Sequence, residues 1–182
     1  FELYIKMDES REIYNLIVEK GKEFNLSHCG MFAMDTMRME KGYLHWGHDM
    51  SPEENQYEAG LKFAISFKKN IDFVGKKAIE KIKNEKIKKK MMMLTLKNSE
   101  PGSPLLLHDE PIYCEGKIVG RTTSGNYSFN YKKNMSLGYI NLVSPIEELA
   151  KKAFFIEVEK KQYEAILQPQ ALHEQKNKIL RR

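Results

Sequence analysis

The pattern of apolar and polar positions divides this chain into a helix-rich first part and a strand-rich second part. Residues 1 to 7, Phe-Glu-Leu-Tyr-Ile-Lys-Met, alternate with period two and predict a strand. A helix start follows at Asp8 or Ser10, with Ile13, Leu16, Ile17 and Phe24 at helical spacing through residues 10 to 25. Beyond Gly30, the one-turn recurrence of Met31, Met34 and Met37 predicts a short helix ending near Gly42, its methionine stripe packed into a core. Ser51-Pro52-Glu53-Glu54 has the order cap, proline, acid, acid that opens a helical turn. Phe63, Ile65 and Phe67 alternate with Lys62, Ala64, Ser66 and Lys68, which predicts a half-buried strand. Residues 75 to 85 place Ala78, Ile79 and Ile82 on one side of a lysine-rich surface helix.

From about residue 88 the period becomes two, with turn punctuation and little helix. Lys-Met-Met-Met-Leu-Thr-Leu-Lys (90 to 97) reads as a strand, and Glu100-Pro101-Gly102-Ser103-Pro104 as a loop. Residues 111 to 125 read as a hairpin with Glu115-Gly116 at its tip. Residues 137 to 143 form a further strand, residues 146 to 152 a helical turn, and residues 154 to 167 a second hairpin turning at Lys160-Lys161. The polar stretch from Pro169 wraps or frays. The chain is thus α+β, an α+β piece over residues 1–85 and a mostly antiparallel β module over residues 86–182.

Composition narrows the class. At 182 residues, 41% hydrophobic and 30% charged, the chain has a globular and not a disordered makeup. A mean hydropathy of −0.57 and the lack of any apolar run near roughly 18 residues exclude a helical membrane span. The only cysteines, Cys29 and Cys114, form no disulfide framework and point to a reducing compartment, the cytoplasm. The chain opens at Phe1 inside an element, with no methionine or signal-peptide pattern, so a piece of a longer protein is expected. The net charge of +5 is uneven: residues 76 to 97 hold nine lysines and two glutamates. With five arginines in the whole chain and no aromatic residue in that run, a solvated helix face is favoured over a nucleic-acid surface.

Unaided chemistry yields no catalytic constellation. His45-Trp46-Gly47-His48-Asp49 invites a metal, but Gly47 argues for a loop and no matching third ligand lies nearby, so a structural loop and no metal site is the reading. Gly116-Lys117-Ile118-Val119-Gly120 lacks the Gly-Lys-Ser/Thr of a phosphate loop. Thr122, Thr123 and Ser124 offer hydroxyls without a partner spaced to activate them. Arg38 and Glu40, set among methionines, are costly unless paired and read as scaffold.

One ordered set of motifs goes further. Gly30-x-x-Ala33-x-Asp35-x-x-Arg38-x-Glu40-Lys41-Gly42 is followed by His45-Trp46-Gly47-His48-Asp49, then Glu58-Ala59-Gly60-Leu61 and Asp72-Phe73-Val74-Gly75-Lys76-Lys77-Ala78. Pro111-Ile112-Tyr113, Gly116 to Gly120, Thr123-Ser124-Gly125 and Leu137-Gly138-Tyr139 complete it. In this order, across nearly the whole chain to about residue 168, these strings resemble the aminomethyltransferase (glycine-cleavage T-protein) superfamily. The Glu-Lys-Gly and His-Trp-Gly-His-Asp wording looks more like the C-terminal folate region of dimethylglycine or sarcosine dehydrogenases than like the stand-alone transferases.

The resemblance implies the end of a ferredoxin-like folate-binding domain followed by an antiparallel β-barrel. It implies an enzyme whose flavin half oxidises an N-methylated glycine while the folate half captures the one-carbon unit on tetrahydrofolate. FAD and the family's catalytic aspartate would lie upstream of Phe1, leaving no catalytic residue in this stretch. By position, Glu2 matches the glutamate that bonds the pterin, Phe63 an aromatic lining the folate pocket, and Tyr43 a further candidate for that pocket. Met34 stands where the family carries a folate-contacting arginine, and Asn55-Gln56 replaces a common Thr-Pro. In a eukaryote the compartment would be the mitochondrial matrix. A stand-alone aminomethyltransferase working with a lipoyl carrier protein, and a non-catalytic regulatory paralogue, are the alternatives. Half of a ferredoxin-like domain would leave apolar surface uncovered, so self-association is expected.

Overall fold

Local hydrogen bonding builds the first helix. In the computed structural model, which describes residues 2–69 and 71–179, α1 spans Ser10–Gly21. The Ser10 hydroxyl donates to the Met7 carbonyl at 2.6 Å at its start. Glu12 in the first turn and Lys20 in the last complement the helix dipole. A 3-10 turn, Lys22–Phe24, extends the helix until Asn25 takes a left-handed conformation (φ 54°). The Leu26 amide then donates back to the Gly21 carbonyl at 2.9 Å. The helix expected over residues 10 to 25 is therefore present.

The strand expected over residues 1 to 7 is not. Residues 2–6 join no ladder, and Phe1 lies outside the described residues. A helix satisfies its backbone internally, whereas a strand needs a neighbour for its N–H and C=O groups, and these residues have none among the described ones.

The chain divides into two compact units, residues 1–34 and 35–182. No residue from 2 to 34 is buried. The boundary falls within α2 (Met31–Glu40). The methionines expected in a core there, Met31, Met34 and Met37, are exposed, and Met39 beside Glu40 is buried instead. The reason is that Arg38 and Glu40 find polar partners on the barrel, and that side of the helix turns inward (below).

Before the barrel, side chains close two successive turns. The Ser51 amide and hydroxyl each donate to Glu54 Oε2 at 2.9 Å. Asn55 Oδ1 then accepts from the Tyr57 and Glu58 amides at 2.9 and 3.0 Å. The strand expected over residues 63 to 67 is also absent. Lys62–Ala64 is a 3-10 turn, with Ala64 and Ile65 amides bonded back to Leu61 and Lys62 carbonyls at 3.0 and 3.2 Å. These local bonds use the groups a ladder would have needed. The short α3 (Lys76–Ile82) follows Gly75, whose φ of 86° suits glycine.

Six strands then close a barrel. They are β1 (Lys89–Leu96), β2 (Pro111–Cys114), β3 (Lys117–Ser128), β4 (Lys133–Asn141), β5 (Phe154–Val158) and β6 (Lys161–Gln168). Their order is β1-β4-β3-β2-β5-β6, all pairs antiparallel, and β1 pairs with β6 to complete the ring. Closure removes the exposed sheet edges that invite aggregation. The β2–β3 tip falls at Glu115-Gly116, as expected, both with positive φ. The β5–β6 turn uses Glu159-Lys160, one residue earlier than the sequence suggests. A single turn of helix, α4 (Ile146–Leu149), links β4 to β5.

The apolar run in β1 is buried on both faces. Met92, Leu94 and Leu96 join Ile112, Cys114, Ile140, Phe154, Ile156, Ala165 and Leu167 in the main core. Met91 and Met93 point the other way and pack with Met39, Met135, Leu137 and Tyr139 in a second cluster, against Leu44, Ala171 and Leu172. A strand covered on both sides reads as continuous hydrophobic sequence, which is why Met91 to Leu94 show no alternation. Glycine is sterically required at Gly120, Gly125 and Gly138. A Cβ on Gly120 would lie 1.9 Å from the Tyr139 carbonyl oxygen, and one on Gly125 would lie 2.6 Å from the Leu106 carbonyl carbon.

Candidate functional site

The functional side chains of the second unit are organised by one buried ion pair. Arg38, on the last turns of α2, donates through Nη1 to Asp49 Oδ2 at 2.5 Å, through Nη2 to Ser124 Oγ at 2.8 Å and through Nε to Asp35 Oδ1 at 2.6 Å. The Asp49 side chain is fully buried and Arg38 is 16% exposed. The second oxygen of Asp49 accepts from Thr123 Oγ1 at 2.6 Å and Ser124 Oγ at 2.7 Å, while Oδ2 also accepts the His45 amide at 2.8 Å. All four acceptor positions of the carboxylate are thus filled. Charge-assisted bonds of this kind are the strong ones, and removing one partner would strand a charge in the interior.

This cluster decides several sequence readings together. The His45-to-Asp49 segment is a tight loop: the Asp49 amide bonds the His45 carbonyl at 2.8 Å, and Gly47 sits at φ 85°. His45 and His48 stack on each other at 5.4 Å. Thr123 and Ser124 do have an acid partner, Asp49, but a saturated and buried carboxylate has no capacity left to accept a proton from a nucleophile. They are staples, not reactive hydroxyls. Glu40 is paired as well, accepting from Ser128 Oγ at 2.6 Å and Asn130 Nδ2 at 2.8 Å. The scaffold reading of Arg38 and Glu40 therefore holds, with Ser124, Ser128 and Asn130 as partners far away in sequence.

The tail wraps. The His173 amide donates to the Glu40 carbonyl at 2.9 Å, and Lys41 Nζ reaches Glu174 Oε2 at 3.1 Å and Asn177 Oδ1 at 2.5 Å. Residues 180 to 182 lie outside the described residues. Neither cysteine has a nucleophile's setting. Cys29 is exposed, and Cys114 is buried, its thiol pushed up by burial and by the Glu115 carboxylate against the opposing pull of Lys152.

The three residues matched to a folate pocket all carry exposed side chains. Glu2, in the first unit, accepts the Tyr4 hydroxyl at 2.8 Å through Oε2. Tyr43, in the second, lies just past α2, its ring 5.9 Å from Lys41 Nζ. Phe63, on the 3-10 turn, is 85% exposed. Neither Tyr43 nor Phe63 stacks on another ring among the described residues. In kind, the open faces of Tyr43 and Phe63 suit a flat ligand.

A separate cleft of about 590 Å³ lies between the 47–54 loop and the outer face of β1, β3 and β4. Its lining includes Glu53, Glu54, Lys89, Asp109, Arg121 and Tyr139, and neither Tyr43 nor Phe63. Lys89 Nζ donates to Glu54 Oε1 at 2.7 Å and sits 4.8 Å from the centre of the Tyr139 ring. Burial disfavours the ionised Glu54, but the Lys89 ammonium and the Ser51 hydroxyl and amide outweigh it and hold the carboxyl below its ordinary range. Tyr139 is 9% exposed, and its hydroxyl has no hydrogen-bond partner among the described residues. Sequence reasoning did not single out this cleft. Several of its residues, Gly47, His48, Asp49, Thr123 and Tyr139 among them, belong to the motif strings of the sequence, but nothing in those strings says that they line one cleft.

Residues 1–69 match the model of the GCVT N-terminal domain, and residues 89–172 that of the glycine cleavage T-protein C-terminal barrel domain. Mitochondrial dimethylglycine dehydrogenase of Mus musculus is 34% identical over 140 residues, covering 77% of this chain and 16% of that protein. An aminomethyltransferase of Symbiobacterium thermophilum is also 34% identical over 140 residues, covering 77% of this chain and 36% of that one. The chain thus spans about a sixth of the dehydrogenase and little more than a third of the transferase. The crystal structure of the glycine cleavage system aminomethyltransferase T from Bartonella henselae superposes with a TM-score of 0.77 at 19% identity, over 90% of this chain and 45% of that one. At that identity the likeness concerns the fold.

Proposed function

This chain belongs to the glycine-cleavage T-protein family, and from that premise we propose that it is the folate-binding C-terminal part of a flavin-dependent dimethylglycine or sarcosine dehydrogenase. One observation carries the choice within the family. The Glu40-Lys41-Gly42 and His45-Trp46-Gly47-His48-Asp49 wording, with Met34 in place of an arginine, resembles the oxidative members of the family more than the stand-alone transferases. In this reading Glu2 is the residue that accepts hydrogen bonds from the pterin ring, and Phe63 and Tyr43 are the aromatic residues matched to the folate pocket of the full-length protein. The Arg38–Asp49 cluster fixes the loop that follows Tyr43 and so sets where that ring stands. Tetrahydrofolate would supply the acceptor for the released one-carbon unit, and FAD, bound elsewhere in the full-length protein, would take the electrons. The equal identity to the Symbiobacterium transferase favours a second reading, a stand-alone aminomethyltransferase acting with a lipoyl carrier protein.

The full-length protein, given dimethylglycine or sarcosine and an artificial electron acceptor, distinguishes the two. Under the first reading the amine is oxidised, and added tetrahydrofolate converts formaldehyde release into methylenetetrahydrofolate. No amine oxidation, with tetrahydrofolate-dependent ammonia release from an aminomethylated lipoyl carrier, would replace it with the second.

A further inference from the structure

Residues 68–88, between the Lys62–Ala64 turn and β1, include none of the residues matched to the folate pocket and none of the cleft lining. They hold eight lysines against three acidic residues, and no arginine. Lys68, Lys69, Lys77, Lys81, Lys83 and Lys86 are exposed and make no ion pair among the described residues. Like charges gathered on a short segment repel one another, and an anionic surface turns that repulsion into attraction. A second feature of the same segment is apolar. The Lys76 amide donates to the Phe73 carbonyl at 3.2 Å, closing a turn whose corners are Val74 and Gly75, the latter at φ 86°. Val74 is fully exposed at its corner, and Ile71 is 66% exposed beside it. No described residue from 61 to 88 is buried, so these side chains are not the rim of a core. An apolar turn thus stands between two lysine pairs, Lys68-Lys69 and Lys76-Lys77.

We propose that residues 68–88 dock the protein on a bilayer surface rich in anionic phospholipid, with Ile71 and Val74 entering the boundary between headgroups and acyl chains and the lysines meeting the headgroup charges. The two features together select this partner. A nucleic acid would use the lysines but leave the aliphatic Ile71 and Val74 in water, and the segment offers it no arginine fork. A neutral bilayer would take the apolar turn and leave the charges unanswered. Only an anionic bilayer uses both, as peripheral elements with a basic and an apolar face do. The contact is a reversible one on the surface, since no helix among the described residues is long and apolar enough to cross a membrane.

The test is co-sedimentation of the full-length protein with large unilamellar vesicles, either phosphatidylcholine alone or phosphatidylcholine and phosphatidylserine in a two-to-one ratio. At about 0.1 M salt, where charges act over about 10 Å, the mixed vesicles should bind at least about tenfold more tightly than the neutral ones. At about 1 M salt that preference should disappear. Each lysine near such a surface is worth a factor of about five, so Lys77→Gln with Lys81→Gln should weaken binding about 25-fold. Val74→Ser should weaken it about tenfold by removing the inserted side chain. Its thermal unfolding should not move, because the folded protein leaves that side chain in water. Failure to sediment with the mixed vesicles, as when another part of the full-length protein covers the turn, would overturn the proposal. So would Val74→Ser binding as the unaltered protein does while duplex DNA or polyglutamate competes fully, which would assign the lysines to a soluble polyanion. Unchanged binding in the lysine variant would overturn it as well. Tetrahydrofolate titrated without vesicles reports on the folate reading, so either can fail alone.

Discussion

Between residues 2 and 34 no side chain is buried, while the six strands and their flanking segments bury thirteen apolar residues in a single cluster. Yet the first region is hardly less apolar: Leu3, Tyr4, Met7, Phe24 and Phe32 are all exposed there. The contrast separates two ways of building structure. α1 exists because an α-helix closes its own hydrogen bonds, and it forms whether or not its apolar residues find a partner. The strand pattern at residues 2 to 6 yields nothing, because a strand is half of an interaction. In the barrel every strand has two neighbours, and the same period-two pattern becomes a ladder and a core.

The contrast can be broken most visibly by mass. We propose that the uncovered apolar residues of the first region drive association when the 182-residue chain stands alone. Light scattering should then report at least a doubled mass, and a well-behaved monomer would show that the exposed residues tolerate water. Next come truncations of matched chemistry. Phe154→Ala, in the barrel core, should cost about 3–5 kcal/mol in urea unfolding. Phe24→Ala, in the first region, should stay within about 0.5 kcal/mol. Comparable losses would mean that Phe24 is packed in solution. The polar staple of the second unit ranks close behind. Arg38→Met should cost about 3 kcal/mol by leaving the Asp49 carboxylate buried without its charge partner. A neutral result would show that the hydroxyls and the His45 amide suffice.

The smallest effect is a pH dependence. With the Glu54 carboxyl held below its ordinary range, its contribution is present at neutral pH and is lost as acid titrates through the depressed folded-state value. Lys89→Gln should flatten that acid limb of the stability curve slightly, because the pair is partly solvent-screened. An unchanged limb would remove Lys89 as the cause.

What could be seen in the sequence follows the same division. Barrel strands were legible because β-branched and apolar runs alternate with punctuated turns, as at Glu115-Gly116, and those local cues agree with the global pairing. The Phe63-Ile65-Phe67 alternation misled because three residues of period two cannot tell a strand from a turn that satisfies itself locally. The methionine stripe misled for another reason. Helical spacing identifies a face, but which face turns inward was decided by Arg38 and Glu40 finding Asp49, Ser124 and Ser128. Those partners on β3 lie more than eighty residues from α2 in sequence, and nothing local announces them. The cleft was hidden for the same reason, since it forms where the 47–54 loop lies against strand residues distant in sequence.

The central functional claim, that Glu2 accepts the pterin's hydrogen bonds, is tested most directly by calorimetry of tetrahydrofolate binding to the full-length protein with and without Glu2→Ala. Loss of a charge-assisted pair of bonds should weaken binding by about 1.5–3 kcal/mol, roughly ten- to a hundredfold. An affinity equal to that of the unaltered protein would contradict the assignment.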